Sequence, residues 1–428
     1  MGVRCGNASW YAVLCVHFDW LLWAGLLKGL GVLLPTLQEQ FTAEAWMIGG
    51  LIATVTGVGS VAGPFSRPLE AMFGTRIVVT VSGLLLGASV IVSSFTFTAI
   101  QMTLALALIA GPCLMISNIL SRAMMGRHFT TNYATVNGVA TAGYSVGLIF
   151  IGPLTQLLLD TYGWRGALLL LGALSMHLGV CGFLLRSPSP PAEVRHDYLP
   201  ISSSVEEPSD EESKSPNPRR KSRLRVLMDA IKVQGNLFGC GVCGRLAFWT
   251  ATLVYAEFQI VSSLWLIYFV AYAESKGFSG YEAVTFITAG GIGNLIFKIL
   301  AGLVVDRGWL KLRLALLISI LISGFTQFTL PWLNSYWLIM ANALIFNGFV
   351  GAEASLTDIY TRELLGAEDL VSTFSWMDLV TAIIQIACGF FPGWIFDQTG
   401  SYDKAFVIFG FISLLPLGSL FMEKLRIQ

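Results

Sequence analysis

Long apolar runs, each near the length that crosses a bilayer, alternate with short polar breaks over most of the chain. A helix of about 20 mainly apolar residues crosses the hydrocarbon. On that criterion the sequence predicts twelve spans, at 10–35, 46–66, 76–98, 101–123, 134–158, 165–185, 246–272, 282–305, 313–332, 336–361, 370–394 and 403–422. Between the sixth and the seventh the pattern changes. The stretch SPSPPAEVRHDYLPISSSVEEPSDEESKSPNPRRKSRLR is rich in Ser, Pro and charge, which predicts a disordered linker. The expected organisation is a six-span unit over 1–186, a cytoplasmic linker over 187–226 and a second six-span unit over 227–428. A short amphipathic surface helix is expected within Val226 to Cys243. The fold class is an all-α membrane bundle of twelve transmembrane helices in two six-helix sets.

Composition strengthens that picture. Charged residues are 12% of the chain, about half the globular average, and 55% of residues are apolar. A net charge of zero argues against a nucleic-acid partner. The cysteines at 5, 15, 113, 181, 240, 243 and 388 are scattered, mostly in apolar runs, and read as small hydrophobes. Cys240 and Cys243 form a lone CxxC without further ligands, so no metal site and no cofactor are expected. No nucleophile or phosphate loop supports an enzyme. The opening MGVRCGNAS is followed by an apolar run too long for a signal-peptide core, so it is not read as a cleavable signal.

Basic residues set the expected orientation. With both termini and the linker in the cytoplasm, only Arg165, Lys276 and Lys404 face outside, and Lys28 and Lys298 lie within the membrane. Arg67, Arg76, Arg122, Arg127, Arg307, Lys311 and Arg313 then fall on cytoplasmic loops.

The halves repeat. GPFSRPLEAMFGTR (Gly63 to Arg76), between spans 2 and 3, matches GLVVDRGWLKLR (Gly302 to Arg313), between spans 8 and 9. GPLTQLLLDTYGWRGALLLLG, from span 5 into span 6, matches FPGWIFDQTGSYDKAFVIFG, from span 11 into span 12. Both matches keep an offset of roughly 238 residues. Parallel halves characterise major facilitator transporters, whose substrate site lies near the midplane between the halves. Gly63, Arg67, Arg76, Asp306 and Arg307 are the candidate gating and structural residues of the two loops. Ordinary cytoplasmic turns are the alternative.

Span 5 narrows the resemblance. HFTTNYATVNGVATAGYSVG keeps Phe129, Gly138, Ala140, Ala142, Gly143 and Gly147 of a pattern found in the monocarboxylate transporters. The chain resembles that family over nearly its whole length apart from the linker. The small residues have a physical use, since they let helices approach where no hydrophobic force drives packing. Two signatures depart. The span 1 element appears as CGNASW, keeping Gly6 and Trp10, and Thr131, Asn132 and Tyr133 replace a basic cluster before span 5. The sequence resembles a divergent member.

Each ionisable group in a span costs about 2.5–3.5 kcal/mol on insertion scales unless paired or hydrated. Asp19, Lys28, Glu257, Lys298, Glu353, Asp358 and Asp378 therefore ask for reasons. The resemblance implies that Lys28 helps accept a proton and a substrate carboxylate from outside; a snorkelling lysine is the alternative. Coupled relatives carry an Asp and an Arg four residues apart on span 8, where this chain has Asn294 and Lys298. The cation stays as a point charge, and the acid has become a neutral amide. Glu353 and Glu257 are candidates to replace the acid, because spans 10 and 7 line the cavity in this superfamily. An ion pair of Glu353 with Lys298 or Lys28 is the structural alternative. Asp358 is expected to pair with Arg362, one turn on. Asp19 lies about 13.5 Å along the helix from Lys28 and so must meet another span. Asp378 is expected to face the bundle or cap a polar contact. Among the span 7 aromatics, Trp249, Tyr255, Trp265 and Tyr268 read as lipid-facing or packing more than as cavity lining.

Three functions follow as expectations. The first is transport of a small organic monocarboxylate such as lactate or pyruvate by alternating access, with protons as the family's coupling partner. The second is uniport of a zwitterionic or aromatic metabolite, suggested by the buried acids. The third is a non-transporting receptor on the same scaffold, with the Ser-rich linker as a phosphorylation platform. The expected partners are an organic acid or zwitterion, protons, the bilayer and, by resemblance, a single-span chaperone subunit. The expected location is the plasma membrane.

Overall fold

The computed structural model describes residues 7–41, 45–129, 131–186, 238–388 and 391–420. The linker, and the amphipathic helix expected after it as far as residue 237, lie outside them. Of the residues that follow, Phe238 is helical and Cys240–Gly244 is a 3-10 turn.

Ten helical stretches of the described residues are long and apolar enough to cross a membrane. One of them, Tyr133–Leu184, is 52 residues long and holds two spans. It reverses at Gly163, whose φ of 68° only glycine adopts without strain. Ala45–Ala62 fills the place of span 2. Span 1 is one helix from Asn7 to Phe41, longer than predicted at its far end. Span 4 begins as Ala99–Ala105, passes through a π turn at Leu106–Ala110 and continues as Gly111–His128. Pro112 lacks an amide hydrogen, so the regular bond pattern breaks there, and the Gly111 amide donates to Leu106 instead. Spans 3, 7, 8, 9 and 10 are Thr75–Ser93, Leu246–Ser275, Gly280–Asp306, Leu312–Thr329 and Tyr336–Leu365. Span 11 comprises Leu370–Cys388 and Phe391–Thr399, and span 12 starts at Asp403.

Local signals set several ends. Ser279 and Glu282 close a reciprocal capping box at the start of span 8. Gly366, with φ 84°, stops span 10. Large aromatics stand exposed at both ends of the bundle: Phe97, Tyr281, Trp332 and Trp337 at one, Phe65, Phe73 and Trp309 at the other. That is the girdle expected where rings meet lipid headgroups.

In the N-terminal half span 1 packs on spans 4 and 5, and span 3 on spans 4 and 6. In the C-terminal half span 10 packs on spans 7, 8 and 9, and span 9 on span 12. The halves meet through spans 5 and 8, 5 and 10, 2 and 11, and 4 and 11. The span 5–8 crossing needs glycine on both sides. A Cβ on Gly138 would lie 2.7 Å from the Lys298 carbonyl oxygen, and one on Gly302 would crowd the Ala134 and Thr135 backbone. Gly143 and Gly147 likewise leave no room for a side chain against the span 1 backbone.

Candidate functional site between the halves

Polar side chains concentrate where the halves meet. Arg122 of span 4 is buried, contrary to the loop position expected from the sequence, and forms an ion pair with Asp358 of span 10. The expected Asp358–Arg362 pair is not made; Arg362 sits over the Tyr133 ring, 4.3 Å from its centroid. A one-turn neighbour lost to a partner from the other half because the buried guanidinium has no water to turn to. Arg122 also lies 4.0 Å from the Phe374 ring centroid, and the Asn137 amide donates to the Ser355 carbonyl at 2.9 Å and to Asp358 at 3.5 Å. The two charged residues are 236 positions apart, close to the repeat offset, so the pair sits near the pseudo-twofold axis.

Next to this pair, Tyr255 of span 7 donates to Asp378 of span 11 at 2.5 Å. Tyr255 is thus a polar anchor as well as a packing residue. Trp265, by contrast, is buried and stacks on Phe269. Asp19 accepts from Ser121 of span 4 at 3.1 Å, the contact with another span that its distance from Lys28 required.

Span 8 brings its two singled-out residues to span 5. Asn294 accepts from Ser145 at 2.7 Å and donates to the Asn347 carbonyl at 3.0 Å, so its amide ties spans 5, 8 and 10 together. Lys298 is buried; its ammonium donates to the Thr141 carbonyl at 3.3 Å and lies 5.5 Å from the Tyr144 ring centroid. Among the described residues it has no ion pair. Lys28 is half-buried, with its stem against Gly152. Gly152 lies eight residues from Tyr144, roughly 12 Å along span 5, so the two lysines stand at different depths.

Glu353 and Glu257 are not at this interface. Gly351 contacts Asn294 and Ser355 accepts from Asn137, so both face the site. Glu353, two residues from each, points about 200° away around the helix. The same holds for Glu257 relative to Tyr255. The two glutamates face one another inside the C-terminal half, and Glu353 pairs with neither lysine.

The repeated loops seal one end of the interface. Arg67 donates to Ser372 at 2.7 Å, while Asp306 accepts the Ala134 and Thr135 amides at 3.2 and 2.5 Å. A carboxylate at the start of span 5 also meets the positive end of its helix dipole. The two contacts are pseudo-equivalent, each joining a loop of one half to the start of a span in the other. Gly63 packs on Ser375, where a Cβ would lie 3.2 Å from its carbonyl oxygen. Glu70 supports the first loop through Arg127 and Thr75, each at 2.7 Å. Arg76 and Arg307 are spent on rings, lying 4.4 Å from the Phe183 and 5.4 Å from the Trp309 centroids.

Arg122, Asn137 and Ser145 were not singled out by sequence reasoning. A cation and an amide among small apolar residues marked Arg122 and Asn137, and nothing in the sequence distinguished Ser145. A separate cavity lined by Trp23, Leu26, Leu30, Val55, Thr56 and Leu114 lies inside the N-terminal half; its walls are mainly apolar and carry no charge to meet a carboxylate.

Comparison with known proteins agrees with this architecture. The family model described as Major Facilitator Superfamily matches residues 10–351. Monocarboxylate transporter 12 of Xenopus laevis is 25% identical over 410 residues, covering 95% of this chain and 86% of that protein. Monocarboxylate transporter 11 of Mus musculus is 25% identical over 391 residues, covering 90% and 80%. Monocarboxylate transporter 2 of Rattus norvegicus is 25% identical over 395 residues, covering 90% and 77%. Among solved structures, the proton:xylose symporter XylE bound to 6-bromo-6-deoxy-D-glucose superposes with a TM-score of 0.71 over 98% of this chain and 96% of that one. At 14% identity that likeness speaks to the fold alone. With two repeated halves joined through buried polar contacts, the chain is a multi-pass membrane transporter that belongs to the major facilitator superfamily, a divergent relative of the monocarboxylate transporters.

Proposed function

We propose that the chain carries a small organic monocarboxylate across the membrane by alternating access about the interface of its halves. The observation that carries this is Lys298. Its ammonium is buried between spans 8 and 5, engages one carbonyl and one ring face, and among the described residues meets no acid within ion-pairing distance. A three-donor cation held in this way is a ready partner for a carboxylate. Lys28, nearer the opposite end of span 1, supplies a second positive charge on the way. The monocarboxylate transporters among the relatives support the substrate class. Proton symport is the coupled form of the reading, and Asn294 provides no acid for it on span 8. Cytoplasmic termini, the plasma membrane and an ancillary single-span subunit complete the proposal.

The zwitterion reading is less favoured. Asp358 is matched by Arg122, and Glu257 and Glu353 are turned away, which leaves Asp19, bonded to Ser121, and Asp378, bonded to Tyr255, as the acids for a positive group. Uptake of labelled lactate, pyruvate and a panel of amino-acid-like zwitterions into vesicles, with and without an inward proton gradient, separates the forms. Monocarboxylate uptake that rises with the gradient supports symport, and gradient-independent uptake supports the facilitative form. Uptake of zwitterions alone would overturn the proposal.

A further inference from the structure

The C-terminal half contains a second polar centre that the interface does not use. Glu257 of span 7 faces Glu353 of span 10, with Ser413 of span 12 beside the first and Ser323 of span 9 beside the second. Glu353, Ser323 and Ser413 are essentially inaccessible, and Glu257 nearly so. Both Glu353 oxygens, one Glu257 oxygen and the Ser413 hydroxyl lack a hydrogen-bond partner among the described residues. Gln327, one turn beyond Ser323 on the same face of span 9, is fully buried with its amide unpartnered as well.

Among the described residues no cation of the four surrounding helices is directed at this centre, Arg362 of span 10 lying over the Tyr133 ring. On span 10, Asp358 is turned to Arg122. On span 7, Arg245 at one end is held by Asp369 and Lys276 at the other by Asp403. Arg313 and Lys404 stand at the starts of spans 9 and 12, each more than about 13 Å along its helix from the serine concerned. Asp403 also stands at that far end of span 12. Asp19 shows the contrast. Its position in span 1 corresponds to Glu257 under the repeat, yet it receives a hydroxyl donor from Ser121 and the nearby charge of Arg122. In the C-terminal half the corresponding acid meets a second acid instead.

Two carboxylates sharing a dry site cannot both ionise cheaply, since each uncompensated ion costs several kcal/mol. We propose that Glu257 and Glu353, with Ser323 and Ser413 around them, form a proton-binding site enclosed within the C-terminal bundle. A proton carried by either glutamic acid gives the pair the donor its unpartnered oxygens lack. Binding and release change only the charge of the pair; no bond other than O–H is made or broken. The site stands apart from Lys298, on the opposite face of span 10 from the interface.

Infrared spectroscopy of the full chain in nanodiscs, grown with carbon-13-labelled glutamate, tests this directly. The expected result at neutral pH is a protonated-carboxyl C=O stretch that shifts with the label and with heavy water. Glu353→Gln and Glu257→Gln should each remove or move that band, while Asp378→Asn leaves it in place. Absence of any label-sensitive protonated band in the wild type would overturn the site, and this reading needs no variant to fold. A band that neither glutamine variant alters would overturn it too. So would a band that appears only when sodium is withdrawn, because the carboxylates would then be holding that cation.

Discussion

Asp358 illustrates how single residues were read and misread. Its spacing to Arg362 on one helix made an intrahelical pair the simplest expectation, and the fold supplied Arg122 from the other half. Spacing along one helix is visible in a sequence, whereas a partner more than two hundred residues away is not. The observed pair is buried, so removing one member leaves an uncompensated charge and costs about 3–5 kcal/mol. Asp358→Asn should therefore lower the thermal unfolding temperature of the purified protein strongly, and Arg122→Leu with Asp358→Leu should recover much of the loss. Arg362→Ala, by the same measurement, should cost little beyond its contact with Tyr133. The charges inside the membrane were legible, because any ionisable group among apolar residues stands out. Their partners were not, and for Asp19 helix geometry excluded Lys28 without naming Ser121. Asn294 was read as a lost acid; the structure adds that its amide joins three spans. Restoring the acid with Asn294→Asp places a carboxylate one turn before Lys298. That variant should make uptake more dependent on an inward proton gradient than the wild type, measured in the same vesicle preparation.

At the level of elements, span positions followed from apolar length, and the reversal between spans 5 and 6 is carried by Gly163. The π turn in span 4 was hidden, since Pro112 marks a break without saying how the chain accommodates it. The glycines of span 5 were legible as packing residues, but not which helix each one meets. Gly138 meets span 8 of the other half, whereas Gly143 and Gly147 meet span 1 of their own. This difference predicts different phenotypes. Gly138→Leu or Gly302→Leu wedges the halves apart and should lengthen spin-label distances across the sealed end without unfolding either bundle. Gly147→Leu disturbs packing inside the N-terminal half and should instead reduce the yield of folded protein. Equal effects on interhalf distance from all three would contradict the assignment.

For the whole molecule, the two-halved repeat read from the loops corresponds to a pair of interlocking contacts at one end of the interface. Arg67 with Ser372 and Asp306 with Ala134 and Thr135 are its pseudo-equivalent members. Alternating access requires that this end open. Gly63 and Ser375 are close enough for a crosslink, since a Cβ on Gly63 would lie 3.7 Å from the Ser375 Cα. Gly63→Cys with Ser375→Cys, oxidised, should stop transport, and a reductant should restore it. Transport that persists in the fully crosslinked protein would show that this end does not gate.

The central claim is that a carboxylate crosses at Lys298. Uptake of labelled lactate and pyruvate into proteoliposomes, wild type against Lys298→Gln at equal folded protein, tests it most directly. Saturable uptake of at least one of them by the wild type is expected, with at least a tenfold loss in the variant, on the order of 1.4 kcal/mol or more. Unchanged uptake in Lys298→Gln, or wild-type uptake no greater than that of protein-free vesicles, would contradict it.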